Sequence, residues 1–188
     1  MIKLVRIFPH EGSGLFAVHF PEKPCDEFRA LFDFWSDPEL LEKFFEANTS
    51  DLQQSRYRYP SIEDAVLWTI EEAQFLLKVL YKRAQQGQRD PSGALQTLFR
   101  PLGPSDARSL SWQRSKVYGR HHKGWLRVYA VRLNANTFIV TGGAIKLTQR
   151  MEERSHTECE LVKLEKVKEF LRRNGIHEGD FEVLKINQ

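Results

Sequence analysis

The chain has 188 residues, 41% of them hydrophobic and 28% charged, which allows one domain with a substantial core and excludes a globally disordered chain. No apolar run reaches the roughly 18–20 residues of a bilayer span. The opening Met1-Ile2-Lys3-Leu4-Val5-Arg6 lacks the apolar stretch and cleavage site of a signal peptide, and Cys25 and Cys159 form no CxxC pair, so a cytoplasmic protein with no membrane partner is expected.

Residues 2–8 and 15–20 read as two short strands around the turn Glu11-Gly12-Ser13-Gly14. Two short helices follow: Asp26 caps one that carries Phe28, Leu31, Phe32 and Trp35, and Asp37 caps a second that begins at Pro38 and carries Leu40, Leu41, Phe44 and Phe45. The polar stretch 49–60 ends at Pro60 and reads as a connector. Over 62–86 the apolar residues Ile62, Val66, Ile70, Ala73, Leu77, Leu80 and Ala84 recur at helical spacing, with Ser61 and Asp64 resembling a capping box and Gly87 as the stop. Residues 87–113 are rich in Gly, Pro, Ser and Arg; within them Ala94 to Phe99 is either a strand or a docking segment. Three strands are then expected, near 115–121, 125–133 and 137–141, joined by turns at Lys123-Gly124 and Asn134-Ala135-Asn136. A last helix is expected over 158–174, with Thr157 and Glu160 as its capping box and Asn174-Gly175 as its stop; its apolar side is Leu161, Leu164, Val167, Phe170 and Leu171. The tail 180–186 is a candidate edge strand. The order of strands, helices, meander and helix predicts an α+β domain.

The net charge of +3 conceals an uneven distribution. Residues 101–150 hold nine Lys and Arg against the single acid Asp106, whereas the segments on either side are neutral or acidic. Solvated surfaces usually mix signs, so this block points to an anionic partner, RNA before others, over a bare solvated face. Strand alternation puts Lys116, Tyr118 and Arg120 on one side of their strand, and Trp125, Arg127 and Tyr129 on one side of the next. If the two sets share a sheet face, they form a basic, aromatic surface beside His121 and His122, with Lys123 in the hairpin and Lys146 and Arg150 just beyond the third strand. Lys and Arg neutralise phosphates, and Tyr and Trp offer rings on which unpaired bases stack. Metal-independent RNA cleavage needs a base for the 2′-hydroxyl, cations around the phosphate and an acid for the leaving oxygen, all of which Arg, Lys, His and Tyr can supply. Plainer readings stand beside these. Tyr129 and Trp125 are either stacking platforms or half-buried sheet residues; His121 and His122 are either acid–base groups or a solvated turn; Arg127 either serves a site or pairs with an acid.

Other chemistries are weakly marked. His156 and Cys159 have no second ligand pair for zinc. Gly142-Gly143-Ala144-Ile145-Lys146 lacks the spacing of a P-loop and is expected to turn the chain out of the third strand. Glu152, Glu153, Glu158 and Glu160 suit a helix N-terminus better than a metal. No cofactor is expected.

The stretches Ser115-Lys116-Val117-Tyr118-Gly119, Gly124-Trp125-Leu126-Arg127-Val128-Tyr129-Ala130-Val131 and Phe138 to Lys146, followed by an amphipathic helix, resemble the RelE/HigB superfamily of bacterial toxin–antitoxin toxins over about Leu95 to Gly175. The resemblance implies an antiparallel meander packed against N-terminal helices and a C-terminal helix. It divides a single α+β domain into an N-terminal strand and helix layer (1–60), a RelE-like core (61–176) and a tail (177–188). It also implies an endoribonuclease that cleaves mRNA on the ribosome and is neutralised by a small antitoxin protein. By this match Arg127 and Lys146 hold phosphate, and Lys116 is a looser counterpart of the family's basic residues; His121 and His122 have no secure counterpart, although some members use His as acid or base. The expected catalytic set is thus Arg127, Lys146, His121, His122 and Tyr129, with Lys116, Tyr118, Arg120, Lys123 and Arg150 binding nucleic acid. The alternative is a non-catalytic module on the same fold that binds nucleic acid or an acidic protein segment. The ninety or so residues before the match exceed a minimal toxin and form either a separate layer or a shield over the site.

Overall fold

The computed structural model describes residues 1–8, 14–55, 61–87, 90, 95–108, 112–119 and 124–176. The chain is α+β. Six strands, β1 (Lys3–Arg6), β2 (Leu15–His19), β3 (Arg100–Pro101), β4 (Gln113–Tyr118), β5 (Leu126–Arg132) and β6 (Phe138–Ile145), form one sheet in the order β1-β2-β6-β5-β4-β3. β2 lies parallel to β6, and every other neighbouring pair is antiparallel. The central strands are apolar on both faces because both faces are covered. One face carries Leu15, Ala17, Val117, Leu126, Val128, Ala130 and Val140 into the larger core, under α1 (Glu27–Ser36), α2 (Pro38–Ala47) and α4 (Ile62–Gln86). The other carries Phe16, Val18, Tyr129, Val131 and Ile139 under α5 (Ser155–Arg173).

The helix starts follow the capping chemistry expected of their sequences. The Asp26 carboxylate accepts from the Arg29 amide at 3.0 Å, and Asp37 accepts from the Glu39 and Leu40 amides at 3.0 Å each, ahead of Pro38. Ser61 accepts from the Asp64 amide at 3.0 Å and donates its hydroxyl to the Asp64 carboxylate at 2.6 Å. The α4 stripe differs in one member: Leu77 is 37% exposed, and Leu76 takes the core position instead.

Four expectations need correction. The stretch 49–60 is not wholly a connector, since α3 (Thr49–Gln54) adds a short helix whose Leu52 is buried. Gly142 and Gly143 do not turn the chain out of the third strand; they lie inside β6, opposite Tyr129 and Val128. Their lack of side chains admits neighbours instead. A Cβ at Gly142, where φ is +147°, would lie 2.2 Å from Glu160 Oε2, and one at Gly143 would lie 2.5 Å from Leu31 Cδ2. Thr157 and Glu160 form no capping box, because α5 begins earlier, and the Thr157 hydroxyl donates back to the carbonyls of Met151 and Arg154. Trp125 does not share a face with Arg127 and Tyr129. It precedes β5, is fully buried on the opposite side, packs against Trp68 and Phe45, and donates its indole N–H to Thr69 Oγ1 at 3.0 Å. The candidate strand 180–186 and the turn 11–13 lie outside the described residues.

Candidate nucleic-acid interface

The β4–β5 register places Lys116 opposite Tyr129 and Tyr118 opposite Arg127. Because alternate residues share a face, these four side chains lie together on the α5 side of the sheet. Between this strip, Leu161 of α5 and the segment 146–152 lies a cleft of about 650 Å³. Lys146 enters it from just beyond β6, so five sequence-predicted residues (Lys116, Tyr118, Arg127, Tyr129 and Lys146) line one cavity.

The cations are held in place by the backbone. Arg127 is 4% exposed; its Nη1 donates to the carbonyls of Gly124 at 2.5 Å and Leu126 at 2.7 Å, and its guanidinium carbon sits 4.1 Å from the centre of the Tyr118 ring. Lys116 Nζ donates to the Leu102 carbonyl at 2.9 Å and lies 5.5 Å from the same ring centre. Lys146 Nζ donates to the carbonyls of Thr148, at 2.9 Å, and Gln149. Two cations therefore flank one aromatic ring, with a third at the cleft's edge.

Arg100 and Arg114 also line the cleft, and both escaped selection from the sequence. Arg114 is partly neutralised: its Nε and Nη2 grip the Asp106 carboxylate at 2.8 and 3.1 Å, and its Nη1 reaches Glu165 of α5 at 3.2 Å. Tyr129 offers no ring for stacking, since it is fully buried, and its hydroxyl has no hydrogen-bond partner among the described residues. Burial pushes its phenol up, against the opposing pull of Arg127, so Tyr129 stays protonated and acts only as a neutral group at neutral pH. Arg150 is exposed and lines neither this cleft nor its neighbour. Arg120, His121, His122 and Lys123 lie outside the described residues.

No family model, curated protein or solved structure matches this chain.

A second cleft, about 730 Å³, shares Arg127, Lys146 and Gln149 with the first. Its far wall is α3, which contributes Asp51 and Gln54. The Arg154 guanidinium clasps the Asp51 carboxylate, with Nε to Oδ2 at 2.6 Å and Nη2 to Oδ1, and so ties the segment after β6 to α3.

Behind Tyr129 lies a buried acid pair. Lys163 Nζ bridges Glu160 Oε1 at 2.7 Å and Glu27 Oε2 at 2.6 Å, joining α5 to the start of α1. Burial pushes the Glu160 carboxyl up to about 7, because desolvation outweighs the attraction of Lys163 and the Glu27 charge adds to the rise. Burial works against the Lys163 ammonium, yet the two carboxylates outweigh it and raise Lys163. Among the described residues, no group of three or more His, Cys, Asp or Glu is placed to hold a metal ion, and no helix is long and apolar enough to cross a membrane.

Proposed function

We propose that this protein is a RelE-like endoribonuclease, the toxin of a toxin–antitoxin module, and that it cleaves mRNA using side chains alone. The observation that carries the reading is the convergence of Lys116, Tyr118, Arg127 and Lys146 on one cleft, from three successive strands of the meander. The meander β4–β6 between the N-terminal helices and α5 supports it, being the arrangement the family resemblance implies.

In this reading a phosphodiester sits between Arg127 and Lys146, whose charges oppose the negative charge that grows on the phosphate oxygens during transfer. Cleavage proceeds by attack of the 2′-hydroxyl on the adjacent phosphorus: the P–O5′ bond breaks, and a 2′,3′-cyclic phosphate and a 5′-hydroxyl result. One group takes the 2′ proton and another gives a proton to the leaving O5′, roles assigned here to His121 and His122. Induction in a bacterial host should arrest growth with mRNA cut, and Arg127→Ala should relieve the arrest. Unchanged growth and intact mRNA with folded wild-type protein would overturn the reading.

One observation favours a non-catalytic relative that only binds. Arg127, Lys116 and Lys146 all spend hydrogen bonds on backbone carbonyls, and the Tyr129 hydroxyl is sealed from solvent. That alternative gives salt-sensitive RNA binding with no cleavage.

A further inference from the structure

We propose that the second cleft is a base-recognition subsite, built by α3, for the nucleotide next to the phosphate held at Arg127 and Lys146; the ligand is then single-stranded RNA of at least two nucleotides. This rests on the RNA reading above and deepens it.

The two clefts meet at Arg127, Lys146 and Gln149, so a ligand charge held there has a cavity on each side. At about 650 and 730 Å³, both fall within the roughly 300–1,000 Å³ of sites that take small organic ligands, enough for one nucleoside each. Their chemistry differs. The first is lined by five cations (Arg100, Arg114, Lys116, Arg127, Lys146) against two acids, Asp106 and Glu152. The second has three cations (Arg127, Lys146, Arg154) against Asp51 and Glu153, and Arg154 is already spent on Asp51. What distinguishes the second wall is the amide of Gln54 on α3, since Gln149 lines both clefts. A carboxamide offers a donor and an acceptor side by side, the pair that reads the edge of a base, whereas phosphate asks only for cations. A base can present that edge in a cleft only when it is unpaired, which selects a single strand over a duplex. The Asp51–Arg154 clasp fixes the two walls relative to each other before any ligand arrives, which lowers the ordering cost of binding.

Gln54 is exposed on α3, so its replacement removes the amide without opening the core. The test is competition against a fluorescein-labelled 2′-O-methyl hexanucleotide, whose blocked 2′ oxygen separates binding from cleavage. The competitors are a base-free (abasic) ribose 3,5-bisphosphate, a 2′-O-methyl dinucleotide and a duplex of the hexanucleotide. The dinucleotide should compete at least about tenfold better than the bisphosphate, and Gln54→Ala should weaken the dinucleotide by about tenfold while leaving the bisphosphate as it was. Equal loss of both ligands in Gln54→Ala, no loss of either, or a duplex that competes as well as the single strand overturns the subsite while the RNA reading stands. Failure of the wild-type protein to bind the labelled hexanucleotide overturns both.

Discussion

Glu160 makes the pH dependence of stability a sharp test of the structure. Its carboxyl is 4% exposed, sits against the bare backbone of Gly142, and is pushed up to about 7 by burial, from an ordinary value of 4.5. Below pH 4.5 the carboxyl is protonated in both the folded and the unfolded chain. Between 4.5 and 7 the unfolded chain gives up the proton while the folded chain keeps it, so the unfolded state gains and stability falls by up to about 1.4 kcal/mol per pH unit. Above about 7 both states are ionised and the loss is complete, on the order of 3 kcal/mol. A glutamine does not titrate. Glu160→Gln should therefore gain on the wild type by an amount on the order of 3 kcal/mol between pH 4.5 and 7.5, whatever its offset at low pH. Urea midpoints for the two proteins at pH 4.5, 6 and 7.5 measure this directly, with the slope m held constant as the check on two-state behaviour. Two curves that stay parallel across the range would refute the burial argument.

Other substitutions probe the elements that frame the site. Gly142→Ala should cost about 2–4 kcal/mol in chemical denaturation, because the new methyl meets the Glu160 carboxylate and the backbone there has φ of +147°. Trp125→Phe should cost about 1–3 kcal/mol by losing volume and the hydrogen bond to Thr69, and it should leave RNA affinity unchanged, since Trp125 faces away from the cleft. Asp106→Asn should lower the melting temperature, equivalent to about 1–3 kcal/mol, because the charged two-oxygen grip on Arg114 becomes at best one neutral acceptor facing an NH2 group; a neutral result would show that the Asp106 charge carries no stability.

Much of the cleft was legible because β4 and β5 keep strict alternation. Once Lys116 and Tyr118 share a side, and Arg127 and Tyr129 share a side, the hairpin needs only the right register to bring all four together. Alternation misplaced Trp125 because the strand begins at Leu126, one residue later than the pattern suggested. The two glycines looked like a turn because glycine usually marks one. Their use inside β6 depends on Glu160 and Leu31, which approach from helices distant in sequence. Glu160 itself was hidden by a local Thr-x-x-Glu spacing that imitates a capping box, while its real partners include Glu27, 133 residues earlier, through Lys163. α3 is too short and polar to show periodicity, and it is held by Leu52 and the Asp51–Arg154 pair. The acid-poor run 101–150 likewise overstated the local field, because counting along the chain misses the Glu165 that α5 brings to Arg114.

The central claim is that the Arg127 cleft cuts RNA with side chains alone. Purified protein incubated with a labelled single-stranded RNA in excess EDTA should yield fragments ending in 2′,3′-cyclic phosphate. Lys146→Ala should abolish them while keeping the wild-type circular dichroism spectrum and melting temperature, and Arg127→Ala should abolish them as well. RNA left uncut here, together with intact mRNA after induction in a bacterial host, contradicts cleavage, and RNA that is neither cut nor bound contradicts the account of the cleft altogether.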